Sequence, residues 1–493
     1  MHLIRLRTVA LREWPIAALL ALFGALYIAS LHSYGMFMWD EAEYASIARS
    51  VLLGQGFEIS GAPNALRPPI LPVAGAASML LFGDQSNDSV LRVTNCGFAL
   101  LALLCVYAFA AAGLGRPTAF VAAALLGMSP FFWAFVPLFM CEVPFLAFFA
   151  ASVWLFYFGA YLHQRFFLWS WIMWALAFLT RYTAALFLPM LVLFVSAAWW
   201  WAGPEALRKE VRRRLASRAF LLGPAGALLV VLPWLIRQYL AFGDPLAGVK
   251  QASQQLQVYQ PGVSMPWHFY LAHIPAMLSP PVAALFVAGV VWTLWKRDRF
   301  ALHTVLAAAL ILVWFSWFRY KEDRLVSSAL PFMAVIAAVP LTKATETLRP
   351  LARRAALGAV LAVFFVLNLR ATLPVFQYTY TLGYPSFLNA MTFLRKHGSP
   401  GAVVLGANYP QIHWYSALRA EDFPDETDLR EALRNSEWVV ITNFERGQKP
   451  YVARLIDRIR TKPGPVNSAA EFHDTRYQTI LIRSDRLLRA LVE

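Results

Sequence analysis

The chain has 493 residues, of which 59% are hydrophobic and only 14% charged, and its formal net charge is +15. A mean hydropathy of +0.53 excludes a single soluble core, and several apolar runs of about 18 residues or more match helices crossing ~30 Å of hydrocarbon. The basic excess does not point to nucleic acid, because much of it falls in short loops between apolar runs, as in polytopic membrane proteins.

Hydropathy predicts spans over 14–32, 89–112, 117–135, 143–162, 166–180, 182–202, 219–240, 272–295, 300–318, 325–342 and 356–374, about eleven helices. The opening "MHLIRLRTVALREW" resembles a signal peptide. The apolar run after it is long and lacks a clear cleavage pattern, so it reads as an uncleaved first span. The stretch "PPILPVAGAASMLLFG" (68–83) is shorter and opens on two prolines, and is expected to lie along the interface or re-enter. Cys96, Cys105 and Cys141 sit in or beside apolar segments, an odd set with neither a disulfide framework nor ligand spacing.

Lysine and arginine give the expected orientation. With the N-terminus in the cytoplasm, the inner loops receive Arg116, Arg165, "RKEVRRRLASR" (208–218), "KRDR" (296–299) and "KATETLRPLARR" (343–354). The outer side then carries "MWDEAEY" (38–44) and the polar tail beyond about 375. Outer basic residues are exceptions to this rule: Arg67, Arg92, Arg181, Arg237, Lys250, Arg319, Lys321 and Arg324. Any one of them suits a snorkelling side chain or a lipid headgroup contact. Clustered, they suit an anionic ligand, with phosphate the natural candidate.

"DEAEYASIARSVLLGQG" reads as a helix with Asp40 as N-cap and Glu43 three residues on, a capping-box variant. Tyr44, Ile47, Ala48, Val51 and Leu52 make an apolar stripe, and Gly54 or Gly56 ends the helix. A surface amphipathic helix therefore explains Asp40 and Glu43 but not Glu41. A second acid, Glu142 in "FMCEVPF", opens the fourth span, where it suits the helix dipole. In "ALRPPILP", two prolines fix an extended backbone after Arg67. "WFRYKEDRLVSSALPF" packs Arg319, Lys321 and Arg324 with Glu322 and Asp323 on one short turn, which also reads as a solvated charged loop. Carboxylates and cations meeting at a membrane interface suit transfer of a group from a lipid-linked phosphate. Cations stabilise the leaving phosphate, and a carboxylate takes the proton of the incoming hydroxyl.

The tail carries strand-like runs at 402–406, 438–443 and 479–484, with the amphipathic stretches "DLREALRNS" and "YVARLIDRIR" between them. This alternation predicts a small α/β domain, here without a Gly-rich phosphate loop.

These motifs together resemble the polyprenyl-phosphate-sugar-dependent glycosyltransferases of the GT-C fold. The nearest group is the glycosyltransferase family 39-like one that includes the aminoarabinose transferases and, more distantly, the protein O-mannosyltransferases. The resemblance rests on "DEAEYASIARSVLLGQGF", "RPPILPVAGAASMLLFG", Arg92 in "VLRVTN", Glu142, "LAFLTRYTAALFLP" with Arg181, "FGDPL" and "KEDRLVSSALPFMA", in order over residues 10–345. It implies Asp40 as catalytic base, Glu142 as a second acid, and donor-phosphate contacts at Arg67, with Glu41, Tyr44, Arg181, Lys321 and Arg324 as further donor or substrate contacts. It also implies inversion at the anomeric carbon. The chain departs from the pattern where Glu142 stands for a common aspartate and Arg67 and Arg181 for common lysines. It also lacks a tyrosine often found before the proline of "DRLVSSALP".

The expected protein is thus mostly α, a polytopic membrane protein of GT-C type with a small C-terminal α/β extracytoplasmic domain. Its transmembrane glycosyltransferase domain runs over 1–375, with the acidic motif on an outer loop at 33–88, and the soluble domain over 376–493. It sits in the bacterial cytoplasmic membrane and takes a sugar from a polyprenyl-phosphate donor to a cell-envelope acceptor. A transporter or flippase of a lipid-linked anion is the alternative, but it expects charges within the spans and broken helices in matching halves. A non-enzymatic scaffold displaying the tail leaves the acid–arginine set without a purpose. His268 and His273 have a spacing that suits core or interface histidines better than ligands, and a divalent metal stays open.

Overall fold

The computed structural model describes residues 2–31, 35–36, 38–258, 264–381, 384–443, 449–461 and 469–490. The chain divides into two compact units. One comprises Met1–Leu31, Ala65–Leu71 and Arg92–Gln377; the other comprises His32–Asn64, Pro72–Leu91 and Tyr378–Glu493.

The first unit is helical. By length and composition, the membrane-crossing candidates are Asp88–Leu114, Glu142–Tyr161, Tyr182–Trp201, Arg218–Phe242, Arg299–Ser316, Asp323–Ala344 and Pro350–Leu373. The expected runs 14–32, 117–135 and 166–180 hold shorter apolar helices, Glu13–Ala29, Arg116–Gly127 and Arg165–Phe178. The expected span 272–295 is two helices, Phe269–Leu278 and Pro280–Lys296, bent by 118°. Proline explains the breaks. It has no N–H to continue the ladder and it pushes the preceding residue out of the α region. Ser279 before Pro280 takes φ 78°, and Ser129 before Pro130 takes ψ 127° and starts a fresh turn, Pro130–Phe135. Tyr27 Oη and Trp133 Nε1 satisfy the Gly127 carbonyl left at the end of helix Arg116–Gly127.

Glu142–Tyr161 and Asp323–Ala344 are the inner helices, with 89% of each apolar window buried. Pro350–Leu373, at 11%, turns nearly all of its apolar surface outward, as lipid-facing helices do. Aromatic side chains fill the space between the inner helices. Trp154 is fully buried, donates to Thr304 Oγ1 at 3.3 Å and stands edge-on to Phe332.

The second unit joins a helix near the start of the chain to the tail. Helix Trp39–Leu52 ends at Gly54, which takes φ +74°. There Gly54 N reaches Val51 O and Gln55 N reaches Ser50 O, the paired bonds of a Schellman stop. A short hairpin follows, β1 (Glu58–Ile59) and β2 (Ala62–Pro63). The tail forms a five-stranded sheet from β3 (Val403–Leu405), β4 (Arg419–Glu421), β5 (Trp438–Thr442), β6 (Ala470–His473) and β7 (Gln478–Arg483), in the order β4-β3-β5-β7-β6. Strands β3, β4 and β5 are parallel; β7 is antiparallel to β5 and to β6. Both faces are covered, so the central strands are apolar throughout. Val439, Ile441, Ile480 and Ile482 pack under Val452, Leu455 and Leu487 on one side. Val440 and Leu481 pack with Phe387, Met391, Leu394 and Ile412 on the other. The expected tail strands and both amphipathic helices are present. The added strands β4 and β6 carry charged residues and lie at the sheet edges, where period-2 apolar patterning is weakest.

Candidate active site

Arg181, Glu142 and Arg324 come together in the first unit. Glu142 opens helix Glu142–Tyr161 and is 1% exposed. It faces the helix N-terminus, as the dipole favours, and it also has a specific partner. Arg181 Nη1 donates to Glu142 Oε1 at 3.2 Å and to the carbonyl of Arg324 at 3.2 Å. Arg181 is the extended residue before the 3-10 turn Tyr182–Leu186 and makes no side-chain cap to that turn.

The strap carrying Arg67 is pinned on both sides of it. Ala65 O accepts from Tyr182 Oη at 2.8 Å and from Gln238 Nε2 at 3.2 Å, and Trp234 Nε1 donates to Tyr182 Oη at 3.1 Å. On the far side of Pro68 and Pro69, Ile70 N donates to Leu179 O at 3.0 Å. The rigidity that the two prolines imply is therefore reinforced by residues flanking Arg181. Gly248 is the one residue type that fits beside this anchor: a Cβ there would lie 2.2 Å from both Ala65 O and Tyr182 Oη.

The charged turn before Asp323 is internally bonded. Glu322 accepts from Tyr320 Oη and Arg324 Nε. Lys321 is 3% exposed and donates to the carbonyls of Met265 and Phe318, so it braces the turn. Burial lowers its pKa. The expectation of a solvated loop is overturned here, because Lys321 is buried and its ammonium is held by two main-chain carbonyls, one of them 56 positions away. His273 Nδ1 meets the Asp323 carboxylate at 2.9 Å, a pair that spacing alone did not foresee. Among the described residues, no three His, Cys, Asp or Glu side chains gather into a ligand set.

Asp40, Glu41 and Tyr44 belong to the second unit. The expected cap is corrected: the helix begins at Trp39, its N-cap is Met38 without a side-chain bond, and Asp40 lies inside the first turn. Acids in a first turn suit the dipole without capping. The expected surface helix is also corrected. Glu41, Glu43, Tyr44, Ser46 and Ser50 are buried along with the apolar stripe, while Val51 and Leu52 are only partly so. Glu41 is 0% and Tyr44 1% exposed. Glu43 does not form a capping box; its Oε1 lies 3.5 Å from Tyr409 Oη of the tail. Arg92, which opens the next span in the sequence pattern, is fully buried in the helix that starts at Asp88.

The sequence reading missed Tyr182, Trp234 and Gln238, which hold the Arg67 strap, and Tyr409, Trp414 and Tyr415, which meet the acidic helix. A signal for the latter was present: "NYPQIHWYS" is rich in aromatics for a polar tail.

Comparison with known proteins agrees with this architecture. A family model described as dolichyl-phosphate-mannose-protein mannosyltransferase matches residues 66–236, the stretch that holds Arg67, Arg92, Glu142 and Arg181. The undecaprenyl phosphate-alpha-4-amino-4-deoxy-L-arabinose arabinosyl transferase 2 of Pseudomonas fluorescens is 24% identical over 441 residues, covering 83% of this chain and 70% of that protein. The crystal structure of ArnT from Cupriavidus metallidurans bound to undecaprenyl phosphate superposes with a TM-score of 0.72 at 15% identity, covering 96% of this chain and 98% of that one. The Archaeoglobus fulgidus oligosaccharyltransferase in complex with Zn and sulfate gives a TM-score of 0.59 at 13% identity, over 85% of this chain and 67% of that one. The fold is that of the GT-C membrane glycosyltransferases.

Proposed function

We propose that this chain, a membrane glycosyltransferase of the GT-C fold using a polyprenyl-phosphate sugar donor, employs Asp40 as general base and Arg67 and Arg181 as the cations that receive the departing phosphate. The acceptor is a hydroxyl or phosphate of a cell-envelope lipid, glycan or protein. For a hydroxyl acceptor, Asp40 takes the proton as its oxygen bonds to the anomeric carbon. The bond from that carbon to the phosphate oxygen breaks, its electron pair leaves with the polyprenyl phosphate, and configuration inverts. Developing charge on the phosphate is met by guanidiniums, which offer several fixed donors at once. Glu142 holds Arg181 in place and stands as the second acid near the acceptor. Glu41 and Tyr44 shape the donor site. Arg324 contributes its carbonyl to Arg181 and its side chain to the charged turn, with Lys321 bracing that turn.

One observation carries this reading: a nearly fully buried carboxylate, Glu142, is paired at 3.2 Å to an arginine whose side chain is 15% exposed. A pair that only stabilised the fold would gain little from remaining partly open. The charged groups stand at or beside helix starts and in turns, which favours a reaction at a membrane face over a charge-lined path through the bilayer.

We further place the N-terminus in the cytoplasm and the acidic helix and tail domain outside, in a bacterial cytoplasmic membrane, with the transmembrane part ending near residue 375. Amphipathic helix Glu205–Leu215, with Arg212, Arg213 and Arg214 in its last turn, supports this by the positive-inside rule. The test is mass spectrometry of envelope lipids and glycans from a deletion strain, followed by transfer in proteoliposomes with the sugar so identified. An unchanged envelope together with no transfer from any polyprenyl-phosphate sugar would overturn the reading.

A further inference from the structure

The acidic helix has no side-chain N-cap, and Asp40 is its second residue. First turns leave unpaired N–H groups and fray readily. A base placed there needs an external support, and the second unit supplies one. We propose that the tail helix Tyr409–Ser416 is the element that positions Asp40, with Tyr409 as the positioning residue. This rests on the reading of Asp40 as base.

Tyr409 meets the acidic helix on both sides of Asp40 in sequence. Its ring stands edge-on to Trp39 with centroids 5.1 Å apart, and its hydroxyl lies 3.5 Å from Glu43 Oε1. Residues 39 and 43 are four apart and share one helical face. Holding both fixes the rotation of the first turn, and with it the direction of the Asp40 side chain. The entry to the helix is held as well: Met36 N donates to Tyr415 Oη at 2.7 Å.

The last turn is held by the same tail helix. Arg49 Nη1 donates to Trp414 O at 3.0 Å, and its guanidinium carbon lies 3.7 Å from the centre of the Trp414 ring. Arg49 Nε reaches Gln85 O at 3.2 Å. Asp88 accepts from Trp414 Nε1 at 2.8 Å and from Tyr415 Oη. Burial lowers the Arg49 pKa to about 10, well above neutrality, so its grip does not depend on pH in the working range. One eight-residue helix thus holds the approach, the first turn and the last turn of the acidic helix. A tail that was only displayed would need none of these contacts.

The experiment measures transfer by the full-length protein in proteoliposomes, using the polyprenyl-phosphate sugar identified for the wild type. Tyr409→Phe keeps the ring against Trp39 and removes the hydroxyl from Glu43. Tyr409→Ala removes both. The expected result is a loss of kcat on the order of tenfold to hundredfold for Tyr409→Ala and a smaller loss for Tyr409→Phe. Donor KM stays within about twofold, because a positioning role for Tyr409 acts on the base and not on donor binding. The acid limb of the kcat–pH profile shifts in Tyr409→Phe, since the neighbourhood of the base has changed. A purely structural tyrosine would lower Tm without moving that limb. If Tyr409→Ala fails to fold, Tyr409→Phe decides: full kcat with an unshifted profile overturns the proposal. Asp40→Asn is run alongside. If it is inactive while Tyr409→Phe is wild-type, only the role of Tyr409 is lost. If Asp40→Asn is fully active, the base assignment falls and this proposal falls with it.

Discussion

Arg181 shares one nitrogen, Nη1, between the Glu142 carboxylate and the Arg324 carbonyl, each at 3.2 Å. A carboxylate at the start of one inner helix and a main-chain oxygen at the start of another are thereby tied to a single charge. Removing that charge leaves Glu142 buried and unpaired. Arg181→Ala should therefore lower stability by roughly 3–5 kcal/mol as well as abolish transfer. The double variant Arg181→Met/Glu142→Gln removes both charges and should recover much of the Tm without recovering transfer. Thermal unfolding in detergent beside a transfer assay separates the two effects, and recovery of activity in the double variant would contradict the phosphate role of Arg181.

Asp40→Asn is nearly isosteric and keeps the helix start, but its amide takes no proton. Transfer should fall by about 10²–10⁴-fold while donor binding stays near that of the wild type. Equilibrium binding of a labelled polyprenyl phosphate, measured beside single-turnover transfer, checks this. A variant that loses donor binding to the same extent would make Asp40 a binding residue.

Gly248 touches no proposed substrate group, yet it supports the Arg67 strap. Gly248→Ala puts a methyl 2.2 Å from Ala65 O and Tyr182 Oη, neither of which is the free end of a flexible chain. The strap or the tyrosine must shift, at a cost of about 1–3 kcal/mol. The expected phenotype is a raised donor KM in the same direction as Arg67→Ala, with a smaller change in kcat. Unchanged donor KM in Gly248→Ala would mean that the strap does not set the Arg67 position.

His413 lies on the tail helix that holds Arg49, and its Nδ1 donates to Leu418 O at 2.8 Å. Burial is the main cause of its lowered pKa, with the positive charge of Arg49 adding to it. A folded-state pKa below the unfolded value of about 6.5 means that protonation favours the unfolded chain. The stabilising contribution is complete above about pH 6.5 and is lost as pH falls toward the folded pKa. Lowering pH from 7.5 to 5.5 should therefore reduce the Tm of the wild type more than that of His413→Asn, whose amide still donates to Leu418 O. Equal slopes of Tm against pH in the two proteins would remove His413 as the cause.

Much of the fold was legible because hydropathy and strand patterning are local signals. The apolar runs all hold helices, the tail strands at 403–405 and 438–442 lie within the expected runs, and the strand at 478–483 is offset by one residue from the run expected at 479–484. What was not legible depends on distant partners. Asp40 reads as a cap from its neighbours alone, yet the first turn is held by Trp39 and Glu43 against Tyr409, 366 positions beyond Glu43. Lys321 reads as a solvated charge, yet its partner Met265 lies 56 positions away. The break at Ser279 was written in the sequence as Pro280–Pro281, but an uninterrupted apolar run outweighed it in a hydropathy reading.

The acidic helix and its support are separated along the chain by most of the protein. The helix at 39–52 is synthesised early, whereas Tyr409, Trp414 and Tyr415 follow only after the transmembrane segments. Contacts of such high sequence separation form late and slowly. On the proposed role of Tyr409, activity then depends on completion: a nascent or truncated chain ending before residue 409 carries the acidic motif but lacks the tyrosine that meets Trp39 and Glu43 on either side of Asp40. On that proposal the tail serves as an assembly checkpoint, withholding full transfer from any chain that has not been carried past residue 415.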